Sequence, residues 1–204
     1  MQEGCVLCPR KCGVDRNIQR GACNAPYFPY VAKAALHMWE EPCISGKRGS
    51  GAIFFCGCNL KCVFCQNYDI SNGSVGKMYD AEGIAELMLR LQGKGAHNVN
   101  LVSPAPFVPV LADAIRAAKN RGLSIPVVYN TNSYETLEAL RMLDGLVDIY
   151  LPDLKYVSGA ISKKYSGTEN YFEYAAPAVQ EMFRQTGLLE LDGDGLANKG
   201  VIIR

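Results

Sequence analysis

The stretch Ala52-Ile53-Phe54-Phe55-Cys56-Gly57-Cys58-Asn59-Leu60-Lys61-Cys62-Val63-Phe64-Cys65 decides how the sequence is read. Its first half, AIFFC, is an apolar β-branched and aromatic run, the pattern of a buried strand. Its second half, C-x3-C-x2-C, puts three thiols on the loop that follows. Three close thiolates can hold three irons of a cubane cluster and leave the fourth iron open, whereas four cysteines close an electron-carrying site. An open iron can bind a small molecule. Phe64 lies between the last two ligands, where its ring can pack beside cluster and ligand or simply enter the core. A zinc site is the competing interpretation of the three thiols. Zinc wants a fourth ligand, which Cys56 could supply.

Working outward, the pattern after residue 50 alternates short apolar runs with amphipathic stretches. Strands are expected at 52–56, 98–102, 126–129 and 147–151. Helices are expected at 80–91, 106–119, 134–143 and 171–185, and a last strand at 188–191 or 201–203. Strands separated by helix-length stretches imply a parallel α/β sheet. Such sheets carry their functional loops at the C-terminal ends of the strands. The polar motifs fall there: Cys58–Cys65 after the first strand, Ser103-Pro104 after the second, Asn130-Thr131-Asn132 after the third and Asp153-Leu154-Lys155 after the fourth. All four should open on one rim. The bland alternatives are turn chemistry for the asparagines and an exposed ion pair for Asp153 and Lys155.

Upstream, residues 1–50 show no convincing period, and 1–48 are expected to form a cysteine-rich N-terminal region ahead of a core at 49–204. The chain has nine cysteines, all within its first 65 residues. In a reducing compartment, clustered thiols hold metal or do redox chemistry more often than they form disulfides. Cys5-x2-Cys8-x3-Cys12-x10-Cys23 is a second candidate metal site, zinc or iron–sulfur, flanked by Arg10, Lys11, Arg16 and Arg20. Cys43 and Cys56 are expected to be small buried hydrophobes, and His37 and His97 surface or core histidines.

The whole composition sets the remaining bounds. The chain has 204 residues, 49% of them apolar, and a net charge of +1. That is one globular domain with a small accessory part, without the basic excess of a nucleic-acid binder. The longest uncharged run, 98–112, contains Pro104, Pro106 and Pro109 and cannot be a membrane span. No secretory signal is visible in MQEGCVLCPRKCG. A cytoplasmic location is expected.

The C-x3-C-x2-C loop at the head of a parallel α/β fold resembles that of the radical S-adenosylmethionine (SAM) superfamily. Residues 40–67 (EEPCISGKRGSGAIFFCGCNLKCVFCQN), together with SPAPF (103–107), VVYNTNSYE (127–135) and DIYLPDLKY (148–156), narrow this. They are similar to a branch resembling pyruvate formate-lyase activating enzyme. The resemblance implies a partial (β/α) barrel and a [4Fe–4S] cluster on Cys58, Cys62 and Cys65. SAM would be bound at the open iron and cleaved reductively to a 5′-deoxyadenosyl radical that abstracts hydrogen. It implies a flavodoxin or ferredoxin as reductant and a glycyl radical enzyme as protein substrate. By position, Phe64, Ser103, Pro104, Asn130, Thr131, Asn132, Asp153 and Lys155 would surround SAM. Two departures stand out. The Gly-Gly-Glu signature after the second strand is replaced by Ser103-Pro104-Ala105-Pro106, and the activases have a longer barrel. The β-branched run Val201-Ile202-Ile203 stops without cap or polar tail, so the core is expected to be incomplete at its C-terminal side. A non-catalytic iron–sulfur carrier and a zinc-stabilised interaction module remain the readings from other classes.

Overall fold

The computed structural model describes residues 4–73 and 75–204. Eight strands form one sheet: β1 (Tyr30–His37), β2 (Ser50–Phe55), β3 (Lys77–Met78), β4 (Val99–Val102), β5 (Val127–Thr131), β6 (Ile149–Pro152), β7 (Glu190–Leu191) and β8 (Ala197–Val201). Their spatial order is β3-β1-β2-β4-β5-β6-β8-β7. The run β2-β4-β5-β6-β8 is parallel throughout. The ribbons at its two ends are antiparallel: β1 pairs with β2 and β3, and β7 pairs with β8. This is the expected partial β/α barrel, with the four expected parallel strands in sequence order. Of the two candidates for a last strand, 188–191 contains only the two-residue edge strand β7, and 201–203 meets a strand only at Val201; the parallel position beside β6 is taken by 197–201, which the sequence reading did not single out.

The helices are α1 (Pro42–Ser45), α2 (Tyr68–Asn72), α3 (Ala81–Gly93), α4 (Val108–Asn120), α5 (Leu137–Arg141), α6 (Gly159–Ser166) and α7 (Tyr171–Thr186). Period-3.6 apolar positions make α3 and α4 one-sided. Ile84, Leu87, Met88 and Leu91 of α3, and Val108, Leu111 and Ile115 of α4, are buried with Ile53, Phe55, Val99, Leu101, Val127 and Tyr129. The Asp80 carboxylate caps α3 through the Gly83 N–H, and the Thr136 hydroxyl caps α5 through that of Ala139. Because strand side chains alternate, the same strands turn a second set of residues away from the helices. Val128, Ile149 and Leu151 meet Ile44 of α1 and Ala197 there, forming an apolar floor with Cys43 and Ile202 against it. Asn98 fastens α1 to the sheet: its amide donates to the Ile44 carbonyl at 2.7 Å and its oxygen takes the Ser50 hydroxyl at 2.6 Å.

β1 lies within the stretch that showed no period. A bulge explains why. Val31 opposes Phe55, but Lys33 opposes Phe54, so one extra residue is accommodated and the face alternation slips. Val31 then faces the helices, and Lys33 and His37 face the other side of the sheet.

Candidate active site

Above the apolar floor, at the C-terminal ends of the parallel strands, lies a cavity of about 760 Å³. Ten of the residues singled out in the sequence line it: Cys58, Cys62, Phe64, Cys65, Ser103, Asn130, Thr131, Asn132, Asp153 and Lys155. The eleventh cavity candidate, Pro104, is buried at the start of a 3-10 turn and does not line it. Lys33, His37, Trp39, Glu40, Glu41, Phe54 and Arg204 line it as well and were not expected there.

The cysteine loop is built from β2 outward. Gly57 takes φ 91°, and a Cβ there would stand 2.8 Å from the Cys23 carbonyl oxygen, so the chain leaves the strand where only glycine fits. Asn59 is buried and donates to the Tyr134 carbonyl at 2.6 Å. Asn132 then reaches across from the β5 loop. Its amide donates to the Asn59 side-chain oxygen at 2.9 Å and to the Cys58 sulfur at 3.3 Å, and its own oxygen takes the Tyr134 N–H. The Cys62 sulfur lies 2.9 Å from the Ser166 hydroxyl, which also meets the Tyr156 hydroxyl at 2.7 Å. Burial pushes the Cys58 thiol up to about 11 and raises Cys62, while Asn132 on the first, and Ser166 and Lys155 on the second, pull the other way. Those donors favour negative charge on sulfur. Metal binding, which requires the thiolate, would therefore release protons into a site already arranged to stabilise it.

The opposite wall is ionic. Lys155 Nζ sits 2.7 Å from Asp153. Tyr171 holds this pair beside the β5 loop. Its hydroxyl lies 2.8 Å from the Asn132 carbonyl and 2.7 Å from that of Asp153, and it receives the Lys155 N–H at 3.1 Å. Arg204 enters from the segment after β8. Its guanidinium donates to Asn130 at 2.6 Å and lies within 3.5 Å of Asp153, Glu40 and Glu41. Burial pushes the Glu40 carboxyl up to about 7, Arg204 pulls it down and Glu41 adds to the rise. The Thr131 hydroxyl is committed elsewhere, donating to Glu135 at 2.6 Å. Trp39 stands on the rim, 87% exposed. Glu40 and Glu41 belong to the EEP run that precedes α1; Pro42 in the first turn sets the helix start and leaves the two acids above the floor.

This donor set fits a cubane cluster with one open iron. Three thiols, and no fourth cysteine among the described residues, face the cavity. Lysine, arginine and carboxylates face them, the pairing needed by a ligand that carries a carboxylate, an ammonium and a sulfonium.

The N-terminal thiols lie outside the cavity. Cys8 and Cys23 are buried; Cys5 and Cys12 are half-buried. Burial pushes the Cys8 thiol up to about 12, with Cys23, Glu135 and Cys5 adding to the rise. Among the described residues, no three His, Cys, Asp or Glu side chains are gathered as a single ion would hold them. Cys56 donates to the Val75 carbonyl at 3.0 Å. No helix of the described residues is long and apolar enough to cross a membrane.

Comparison with known proteins agrees with the cavity. A family model of the Radical SAM superfamily matches residues 52–185. An uncharacterized protein of Methanocaldococcus jannaschii is 35% identical over 178 residues, covering 84% of this chain and 51% of the relative. The chain thus spans about half the length of the curated relative it matches. The matched segment runs from the first parallel strand to α7 and contains the three-cysteine loop, the asparagines after β5 and the Asp153–Lys155 pair. By that match, and by the thiol loop it contains, the chain belongs to the radical SAM superfamily.

Proposed function

We propose that this chain carries out reductive SAM cleavage and hydrogen abstraction in the cavity at the barrel rim, as a member of the branch similar to pyruvate formate-lyase activating enzyme. One observation carries the reading: Cys58, Cys62 and Cys65 share a single cavity with cations and carboxylates from the ends of the parallel strands. When bound, a [4Fe–4S] cluster and SAM supply a low-potential electron and a sulfonium whose cleavage yields methionine and a 5′-deoxyadenosyl radical. The chain's own residues bind and orient. Lys155, held by Tyr171, is placed to receive a carboxylate. Glu40 and Asp153 are placed to receive an ammonium, and Arg204 and Asn130 fix their geometry. Phe54, Phe64 and Val102 supply apolar lining within the cavity. Asn132 and Ser166 tune the thiolates.

The proposed source of the hydrogen is a backbone glycine of a glycyl radical enzyme, and the proposed electron donor is a flavodoxin or ferredoxin. The resemblance of residues 40–67 and 148–156 to the activases supports both. The chain reconstituted with iron and sulfide under anaerobic conditions, then given SAM and dithionite, should form 5′-deoxyadenosine and methionine in equal amounts. A Cys58→Ala/Cys62→Ala/Cys65→Ala chain should form neither. Cleavage by that variant, or a cluster-loaded wild type that leaves SAM intact, would overturn the proposal. A doublet radical signal on a partner glycine, seen by electron paramagnetic resonance, tests the substrate class separately.

A further inference from the structure

The cysteine loop turns its sulfurs to the cavity and a different set of groups to solvent. The end of α6 holds it from the outside. The Lys61 N–H donates to the Ser166 carbonyl at 3.1 Å, and the Val63 N–H donates to that of Tyr165 at 2.9 Å. Loop and helix end therefore form one continuous outer face. Its middle is apolar. Val63 is 69% exposed, and Ile161 and Tyr165, one helical turn apart on α6, are exposed beside it. Apolar side chains left in water on a hydrogen-bonded framework form the centre of many protein contacts, with charges around them.

Here the surrounding charges are cations. Lys61 and Lys164 are exposed, the Lys164 ammonium 5.1 Å from the centre of the Tyr165 ring. A Cβ on Gly167 would stand 3.8 Å from both the Arg10 guanidinium and the Lys61 Cβ, so Arg10 adjoins Lys61, and the exposed Lys11 follows it in the chain. Lys163 is committed to Glu169 at 3.0 Å. Arg10, Lys11, Lys61 and Lys164 take part in no ion pair among the described residues. The whole chain carries a net charge of only +1, so this surplus is local. Position gives the face its meaning. Cys62 is half-buried between Lys61 and Val63, and its sulfur lies 2.9 Å from the hydroxyl of Ser166, whose carbonyl holds the loop.

We propose that this face docks an acidic one-electron carrier protein. Its carboxylates meet Arg10, Lys11, Lys61 and Lys164, its redox group packs against Val63 and Tyr165, and the electron enters the site across the Val63 segment. This role rests on the reading of Cys58, Cys62 and Cys65 as ligands of the SAM-cleaving cluster. Complementary charge steers such a carrier and fixes its orientation, and the apolar centre brings the two redox groups together. A nucleic acid or an anionic membrane would meet the same cations, but neither has a use for a seat directly over the ligand loop. The electron balance is simple. The carrier is oxidised by one electron and the cluster is reduced by one. That electron is consumed when a carbon–sulfur bond of SAM breaks to give methionine and the 5′-deoxyadenosyl radical.

The test uses the full chain, reconstituted and kept without oxygen, with flavodoxin as the probe. Binding of oxidised flavodoxin, measured by titration calorimetry, needs no turnover. It should weaken as salt is added, and Lys61→Glu/Lys164→Glu should weaken it about tenfold at low salt. Lys47→Glu/Lys94→Glu makes the same charge change at exposed positions just before β2 and β4, at the opposite ends of the strands, and should bind like wild type. Lys164→Glu alone lies outside the cysteine loop and should still weaken binding, which keeps the test decisive where the double variant fails to hold its cluster. The rate of cluster reduction by flavodoxin hydroquinone should fall in parallel, while reduction by dithionite stays close to that of wild type. Affinity indifferent to salt, equal weakening by both double variants, or wild-type binding by Lys164→Glu overturns the proposal. So does a dimer of the chain that Lys164→Glu dissociates in sedimentation, since a second copy would then cover the face. A chain whose cluster takes the electron from flavodoxin yet leaves SAM intact would sink the proposed function and leave this face standing.

Discussion

Glu135 lies fully buried behind the loop that carries Asn132, and its two oxygens are treated unequally. One takes the Thr131 hydroxyl at 2.6 Å and the Tyr129 hydroxyl at 3.0 Å; the other has no partner. Burial pushes the carboxyl up to about 7 in spite of both hydroxyls. Its folded value is therefore above the unfolded one, near 4.5. The folded chain holds the proton more tightly, so the stability contributed by the protonated form is complete below about pH 4.5 and is lost as pH rises through about 7. Glu135→Gln keeps an acceptor for both hydroxyls and cannot ionise. Its stability relative to wild type should rise between pH 5 and pH 8 by up to about 3 kcal/mol. Urea unfolding at the two pH values measures this, and a difference that does not change with pH would contradict it. At this scale the sequence was informative where a residue directly follows a strand. Asn130, Asn132, Asp153 and Lys155 were legible for that reason. Glu40 and Arg204 were not, because 164 positions separate them in sequence and only the folded sheet brings them together.

Among the elements, β1 shows what periodicity can hide. The four inner strands are short runs with both faces covered, so they read as apolar segments. YVAKAALH changes phase at its bulge, and no single alternation fits all of it. The bulge makes the strand unequally tolerant of deletion. Removing Ala32 merges Val31 and Lys33 into a regular ladder and leaves Lys33, Ala35 and His37 on the cavity side. Removing Ala35 instead sends Leu36 into the cavity and His37 to the opposite face. The Ala35 deletion should cost about 2 kcal/mol or more, and the Ala32 deletion clearly less. Thermal unfolding of the two deletion chains compares them; equal losses would mean that the bulge does not set the register. α6 is illegible in the sequence for a different reason: GAISKKYS buries Ser162 and Ser166, so it carries no apolar stripe.

For the molecule as a whole, the cysteine-rich turns act as a bracket on the barrel rim. Besides its bonds to Asn59 and Gly167, Arg10 lies over the Tyr134 ring at 5.8 Å. The Thr136 hydroxyl donates to the Leu7 carbonyl at 2.9 Å, and the buried Arg16 donates to the Pro106 carbonyl. Three different strand-end loops are therefore tied to one N-terminal segment. Arg10→Ala removes the charged donor from three carbonyls, those of Asn59, Ser166 and Gly167, and should lower stability by about 2–3 kcal/mol. Amides of the cysteine loop should exchange faster in that variant, as measured by hydrogen–deuterium exchange. Unchanged exchange at residues 58–62 would show that the bracket does not stiffen the loop. The sequence marked these turns by their cysteines, yet nothing local in it announced where they dock, since the docking contacts span from 49 to 157 positions.

Trp39 is the single tryptophan of the 204 residues, and it stands exposed on the rim of the cavity. The protein thus carries its own fluorophore at the entrance, with no second indole to dilute the signal. Indole emission moves to shorter wavelength when solvent is displaced from the ring. Adding SAM to the cluster-free chain should shift or quench this emission in a saturable way, giving a binding curve with neither label nor turnover. Binding seen by equilibrium dialysis with the emission unmoved would place the ligand away from Trp39.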